Sequence, residues 1–139
     1  MAPVLKKNGQ LLFNSWDSLE RDRIAQVSHE SLVTAFPGRA PNFLTVPFGF
    51  HDTEVIQQMV KAAGFSRVRV VRVSARGHSE SARAAATGFV TGSPMLVELT
   101  ETGIPAGDAI AVVERAIISV FGSGPLDVPL SAVIATARA

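Results

Sequence analysis

Apolar positions along the chain change spacing several times, and each change predicts an element. Leu11, Leu12, Phe13 and Trp16 crowd one short run behind the turn residues Gly9 and Gln10, with Asp17 and Ser18 following as a cap signal. This pattern predicts a buried strand over 11–17 running into a helix, and makes the run the expected central strand. Ahead of it, Val4 and Leu5 followed by the polar turn 6–9 read as the tail of a helix that Gly9 ends. Behind it, Ile24, Ala25, Val27, Leu32, Val33 and Phe36 recur at near-helical spacing until Pro37 and Gly38. A helix over 18–35, open to a break in its middle, is expected.

Residues 39–50 mix Pro41, Pro47 and Gly49 with Phe43, Leu44, Val46, Phe48 and Phe50, which resists regular structure while staying apolar, so a lid-like loop is expected. Asp52 caps the next predicted helix, whose Val55, Ile56, Met59, Val60 and Ala63 share a face and whose end is marked by Gly64. A strand over 68–74 follows, its valines set among Arg67, Arg69 and Arg72. The string SARAAATGFV reads as a helix, and Ser93 and Pro94 start a short one that Gly103 ends. Asp108 then caps a helix over 109–121, striped by Ile110, Val113, Ile117 and Phe121 and closed by Gly122. After Pro125 and Pro129 the apolar run 130–136 reads as the last strand. The alternation of strands and helices predicts an α/β fold.

Composition narrows the partners. A chain of 139 residues makes one domain with room for a real core. With 47% hydrophobic and 18% charged residues it is more apolar than an average domain, which favours a large core or an additional buried interface. The net charge of +1 comes without a basic run, so nucleic acid and anionic membrane surfaces are not expected partners. The lack of cysteine excludes a thiol nucleophile and a thiolate metal site, and fits a reducing, cytoplasmic setting. No apolar run approaches the roughly 20 residues needed to span a bilayer.

Candidate chemistry is sparse. His29, His51 and His78 stand far apart, with no second ligand at helical metal spacing, so no metal is expected. His51, in FGFHD at a helix entrance beside Phe48 and Phe50, reads either as an imidazole that touches substrate or as a loop histidine next to the Asp52 cap. Trp16 reads either as a cavity wall or as core. Trp16, Phe48, Phe50 and His51 are the substrate-binding candidates. Asp17 is expected to be an N-cap, His29 and Glu30 to lie on the solvent face of their helix, and the three arginines around residue 70 to be a polar strand fringe. No G-x-S-x-G elbow, P-loop or carboxylate pair occurs, and catalytic residues stay unknown.

Two strings carry a family resemblance. VLKKNGQLLFNSWDSLE is similar to the helix end, Leu-Lys-Pro-Gly-Gly turn and fifth strand of class I S-adenosylmethionine-dependent methyltransferases of the ubiquinone-methylase-like, small-molecule type, with Lys7 and Asn8 where Pro and the first Gly are usual. PFGFHDTEVIQQMVKAAGFSRVRVVRV, over 47–73, resembles the same family's late helix, Ala-Gly-Phe turn and sixth strand. Residues 130–137 would then be its seventh, antiparallel strand.

The resemblance implies a partial, Rossmann-like α/β sheet of about three strands with helices, lacking the N-terminal cofactor-binding half. It implies a methyltransferase-related protein, inactive as this chain alone, or a non-enzymatic small-ligand-binding or assembly protein derived from that fold. The family's Gly-rich loop behind its first strand has no counterpart ahead of Leu11, and the G-x-G at Gly122 and Gly124 ends in Pro125. S-adenosylmethionine is therefore implied by resemblance only, with no cofactor-binding residue in this chain. In the family the fifth strand lies between the fourth and the seventh, so here it would keep an unpaired apolar edge. A homodimer or a cofactor-binding partner chain is expected to cover that edge, with an apolar small molecule as the possible ligand.

Overall fold

The computed structural model describes residues 5–139. Strand β1 (Gln10–Trp16) leads through a 3-10 turn (Leu19–Arg21) to helix α1 (Arg23–Ala35). A second 3-10 turn (Phe43–Thr45) precedes α2 (Thr53–Ala62) and the long strand β2 (Ser66–Ser79). Then come α3 (Ala82–Thr91), α4 (Met95–Glu101), α5 (Ala106–Phe121) and β3 (Leu126–Arg138). The α/β class expected from the pattern is present as a three-stranded sheet with five α-helices among the described residues.

Strand order is β1-β3-β2, with β3 antiparallel to both neighbours, so β1 and β2 run parallel to each other. This corrects the expectation that the Leu11 run is central: β1 is an edge, and the last strand fills the middle. Its burial alternates instead of being continuous, with Leu12 67% exposed. The middle position goes to β3, whose small Ala135 and Ala137 and branched Val133 face a covered side of the sheet and are all buried. Both long strands exceed their sequence estimates. Strand β3 starts at Leu126 and passes straight through Pro129, which pairs with Arg76 of β2. A proline lacks the N–H that a doubly paired strand needs, but β1 ends opposite Ala132, so at Pro129 only one side of β3 is paired. Strand β2 likewise continues through Gly77, where a Cβ would stand 2.9 Å from Leu130 Cδ1, so the glycine is what lets Leu130 lie across the sheet.

Two cores result. On one sheet face, Leu11, Phe13 and Val70 join Val133, Ala135 and Ala137 under Ile56 and Val60 of α2. Asp52 starts that helix as expected, accepting the N–H groups of Glu54 (2.9 Å) and Val55 (3.1 Å), and Gly64 ends it at φ 91°. On the other side, α1, α3, α4 and α5 close a larger core over Leu126, Val128 and the partly buried Leu130, so among the described residues the rest of that sheet face carries no helix. The turn at 6–9 holds a Gly9 N–H to Lys6 C=O bond and no helix among the described residues, while Val4 of the expected helix tail lies outside them.

Asp17 also departs from expectation. It does not cap α1; Asp22 does, accepting the Ala25 N–H at 3.4 Å, and the helix starts after the intervening 3-10 turn. The Asp17 carboxylate is instead fully buried where the three strands meet. It accepts from Ser18 N–H (2.9 Å), the Ser131 hydroxyl (2.8 Å) and Arg72 Nε (3.1 Å), with Arg21 Nε at 3.8 Å. Arg72 is therefore more than a polar fringe. His29 departs too: it is half-buried, and its Nδ1 is buried with no hydrogen-bond partner among the described residues.

Candidate functional site

Beyond the carboxyl end of β1 lies a cleft of about 410 Å³. Trp16 forms one wall because the strand's alternation turns even-numbered residues toward the helical side. The first turn of α1 brings Asp22, Ile24 and Ala25; the loop brings Phe43, Leu44, Pro47 and Phe48; α3 brings Ala85, Gly88 and Phe89. The loop is held in place by Glu98 of α4, whose carboxylate accepts the backbone N–H groups of Asn42 and Phe43. This anchoring explains how a proline-rich stretch without long helices keeps a defined course.

Aromatic stacking orders the loop further. Phe48 stacks on Trp16, ring centroids 5.8 Å apart and planes 22° from parallel. Phe50 stacks on Phe13 at 6.3 Å and 20°, and its C=O accepts from Ser15 Oγ at 2.6 Å. Phe13 and Trp16 point to opposite sheet faces, so the chain between Phe48 and Phe50 passes round β1 from one face to the other. The four candidates thus divide: Trp16 and Phe48 line the cleft, whereas Phe50 belongs to the opposite face and His51, half-buried, leads into the Asp52 cap.

Electrostatics distinguish the two aspartates nearby. Burial pushes the Asp17 carboxyl up, but the Ser18 N–H, the Ser131 hydroxyl, Arg72 and Arg21 outweigh it and hold the group below the ordinary aspartate value. For Asp22, burial dominates and the Ala25 N–H only partly opposes it, so its carboxyl is raised. Asp22, Gly88 and Phe89 were not singled out by the sequence pattern. Asp22 did carry a signal, standing directly before the apolar positions Ile24, Ala25 and Val27.

Cofactor and metal sites are another matter. Gly122 closes α5 at φ 88°, and Gly124 packs so tightly that a Cβ there would meet Ser81 Cα at 2.5 Å. Ser123 C=O takes the Ala82 N–H at 2.8 Å and Ser81 Oγ takes the Ala84 N–H at 3.1 Å, so this loop serves the start of α3 and offers no cradle to a cofactor. The Gly122–Gly124 loop therefore does not fit the S-adenosylmethionine that the resemblance implies. No group of His, Asp and Glu side chains among the described residues is arranged to hold a metal ion. No helix among them is long and apolar enough to cross a membrane. In comparisons with known proteins, the chain matches no family model and no curated protein.

Proposed function

We propose that this chain is the acceptor-binding part of a protein of the class I methyltransferase lineage and holds a flat, apolar small molecule in the Trp16–Phe48 cleft. The observation that carries this reading is the strand arrangement. The last strand lies antiparallel beside β1, and no described strand pairs with the other edge of β1, as a fifth and a seventh strand without a fourth would stand. The cleft opens beyond the carboxyl end of β1, where open α/β sheets bind their ligands. Methyl transfer between two bound reactants depends chiefly on orientation and exclusion of water, and an apolar cleft under an anchored loop supplies both on the acceptor side.

Cofactor binding would have to come from elsewhere, through a second chain or segment that adds strands to the free edge of β1. The closed loop at Gly122–Gly124 favours a second reading, in which the chain binds a small ligand without catalysis. Calorimetric titration with S-adenosylhomocysteine, with mass measured on the same sample, separates them. We expect no binding by the chain alone, and saturable binding once it is joined to a segment, encoded ahead of Met1 or in a neighbouring chain, that holds a strand followed by Gly-x-Gly. Failure of every such pairing to bind would leave the non-catalytic reading.

A further inference from the structure

Two side chains that line the cleft keep unused hydrogen-bonding capacity among the described residues: Trp16, whose indole N–H sits on a residue 43% exposed and open to water, and the buried Asp22. Ser93 also lines the cleft, but its hydroxyl donates to Phe89 C=O at 2.7 Å and accepts Met95 N–H at 3.3 Å. Asp22 lines it while only 2% exposed, and one oxygen takes the Ala25 N–H across a long 3.4 Å. No hydrogen bond or ion pair among the described residues reaches the other oxygen. The side-chain atom that is both sealed from open space and unpartnered among them is His29 Nδ1, so this second oxygen is not fully sealed, and the cleft is the space that Asp22 lines. A carboxylate in apolar surroundings without a cation is costly, and a pocket that binds selectively sets a few such groups in an apolar wall.

Gly88 points the same way. A glycine inside a helix weakens it, and packing does not require one here: a Cβ at Gly88 would meet nothing within 4 Å. The room above α3 belongs to the cleft, and a bare backbone floor lets a flat molecule lie close.

We propose that Asp22 is the recognition group of this cleft, accepting a hydrogen bond from an O–H or N–H carried by a flat aromatic ligand that lies against Trp16 and over Gly88. The ligand class is thus an aromatic hydroxyl or amine, not a plain hydrocarbon or an ether. This rests on the small-molecule reading above, and deepens it by naming the group that selects the ligand.

The test uses three naphthalenes of one shape: 2-naphthol, 2-naphthylmethylammonium and 2-methoxynaphthalene, titrated calorimetrically. Trp16 is the only tryptophan, so its single indole N–H resonance locates binding in the cleft. We expect both donor probes to bind about tenfold more tightly than the ether, in line with a hydrogen bond to a charged acceptor. Asp22→Asn keeps a good helix cap, so the protein should stay folded by circular dichroism while donor binding weakens about tenfold and ether binding holds. Gly88→Leu should weaken all three. A hydroxyl preference without an ammonium preference, or the reverse, identifies which donor the cleft takes. Equal affinities for all three probes, or a donor preference that survives Asp22→Asn, would overturn the role of Asp22 while leaving the cleft a ligand site. An unmoved Trp16 resonance with every probe would overturn both, and S-adenosylhomocysteine binding by the joined protein would still decide the methyltransferase lineage separately.

Discussion

Asp17 ties three strands together through one side chain. It follows β1, takes the hydroxyl of Ser131 on β3 and the guanidinium of Arg72 on β2, and is itself fully buried. Removing it leaves Arg72 and Ser131 without their acceptor, so we expect Asp17→Ala to lower the unfolding free energy by roughly 2–3 kcal/mol in urea titrations. A loss within experimental error would mean that the sheet closes without this cluster. Because its folded carboxyl lies below the ordinary value, its contribution is present above the unfolded value and is lost as pH falls through the lowered one. Asp22 has the opposite sign: its raised carboxyl costs stability as pH rises past the unfolded value, and acid relieves that cost. Asp17→Asn should therefore flatten the stability loss below about pH 4, whereas Asp22→Asn should abolish the stability gain that acidification brings just above that pH, between the raised folded value and the unfolded one.

Elements whose cause is local were the ones legible in the sequence. Helix α2 needs only Asp52 at its start, Gly64 at its end and an apolar stripe between, and all three lie within one short window. The alanine-rich string likewise gives α3, which Ser81 caps, and Gly122 closes α5 as expected, but Asp108 does not cap that helix: it starts at Ala106 behind Pro105 and holds Asp108 in its first turn. Strand order was not legible from the residue pattern, because the rank of β1 depends on where β3 docks, and the tolerance of β3 for Pro129 depends on where β1 stops; the resemblance alone had the last strand antiparallel beside the Leu11 run and the run's other edge free. The cleft was half legible for the same reason. Trp16 and Phe48 stand out as aromatics, while Asp22 and Gly88 acquire a role only when α1 and α3 face each other. The loop over 39–50 is lid-like as its composition predicts, but its course is set by Glu98, more than fifty residues away in sequence. Glu98→Ala should cost about 1–2 kcal/mol and speed amide hydrogen exchange at residues 42–46. Unchanged exchange there would show that the Phe48 and Phe50 stacks hold the loop unaided.

Among the described residues, no strand or helix covers the outer side of β1 or the sheet face beside it. Leu12 is 67% and Trp16 43% exposed, and Val71, Val73 and Ile134 on the same face are half-buried because the helical core reaches only the first residues of β3. The loop that passes round β1 contacts it at Phe13, Ser15 and Trp16, while Gln10–Asn14 faces no further strand among the described residues. Proteins guard such edges with charge, proline or a covering segment, and Leu12 supplies none of these. We therefore expect association through this edge: mass above that of one chain by light scattering at micromolar concentration, whether with a second copy or with a chain that completes the sheet. Leu12→Lys places a charge on that face without touching either core, so it should return the protein to one chain while leaving its circular dichroism and the Trp16 resonance in place. A wild-type protein that runs as a single chain would sink the idea. If wild type associates and Leu12→Lys does so equally, the contact lies elsewhere, and the exposed Val97 of α4 and Val120 of α5 become the surfaces to test next.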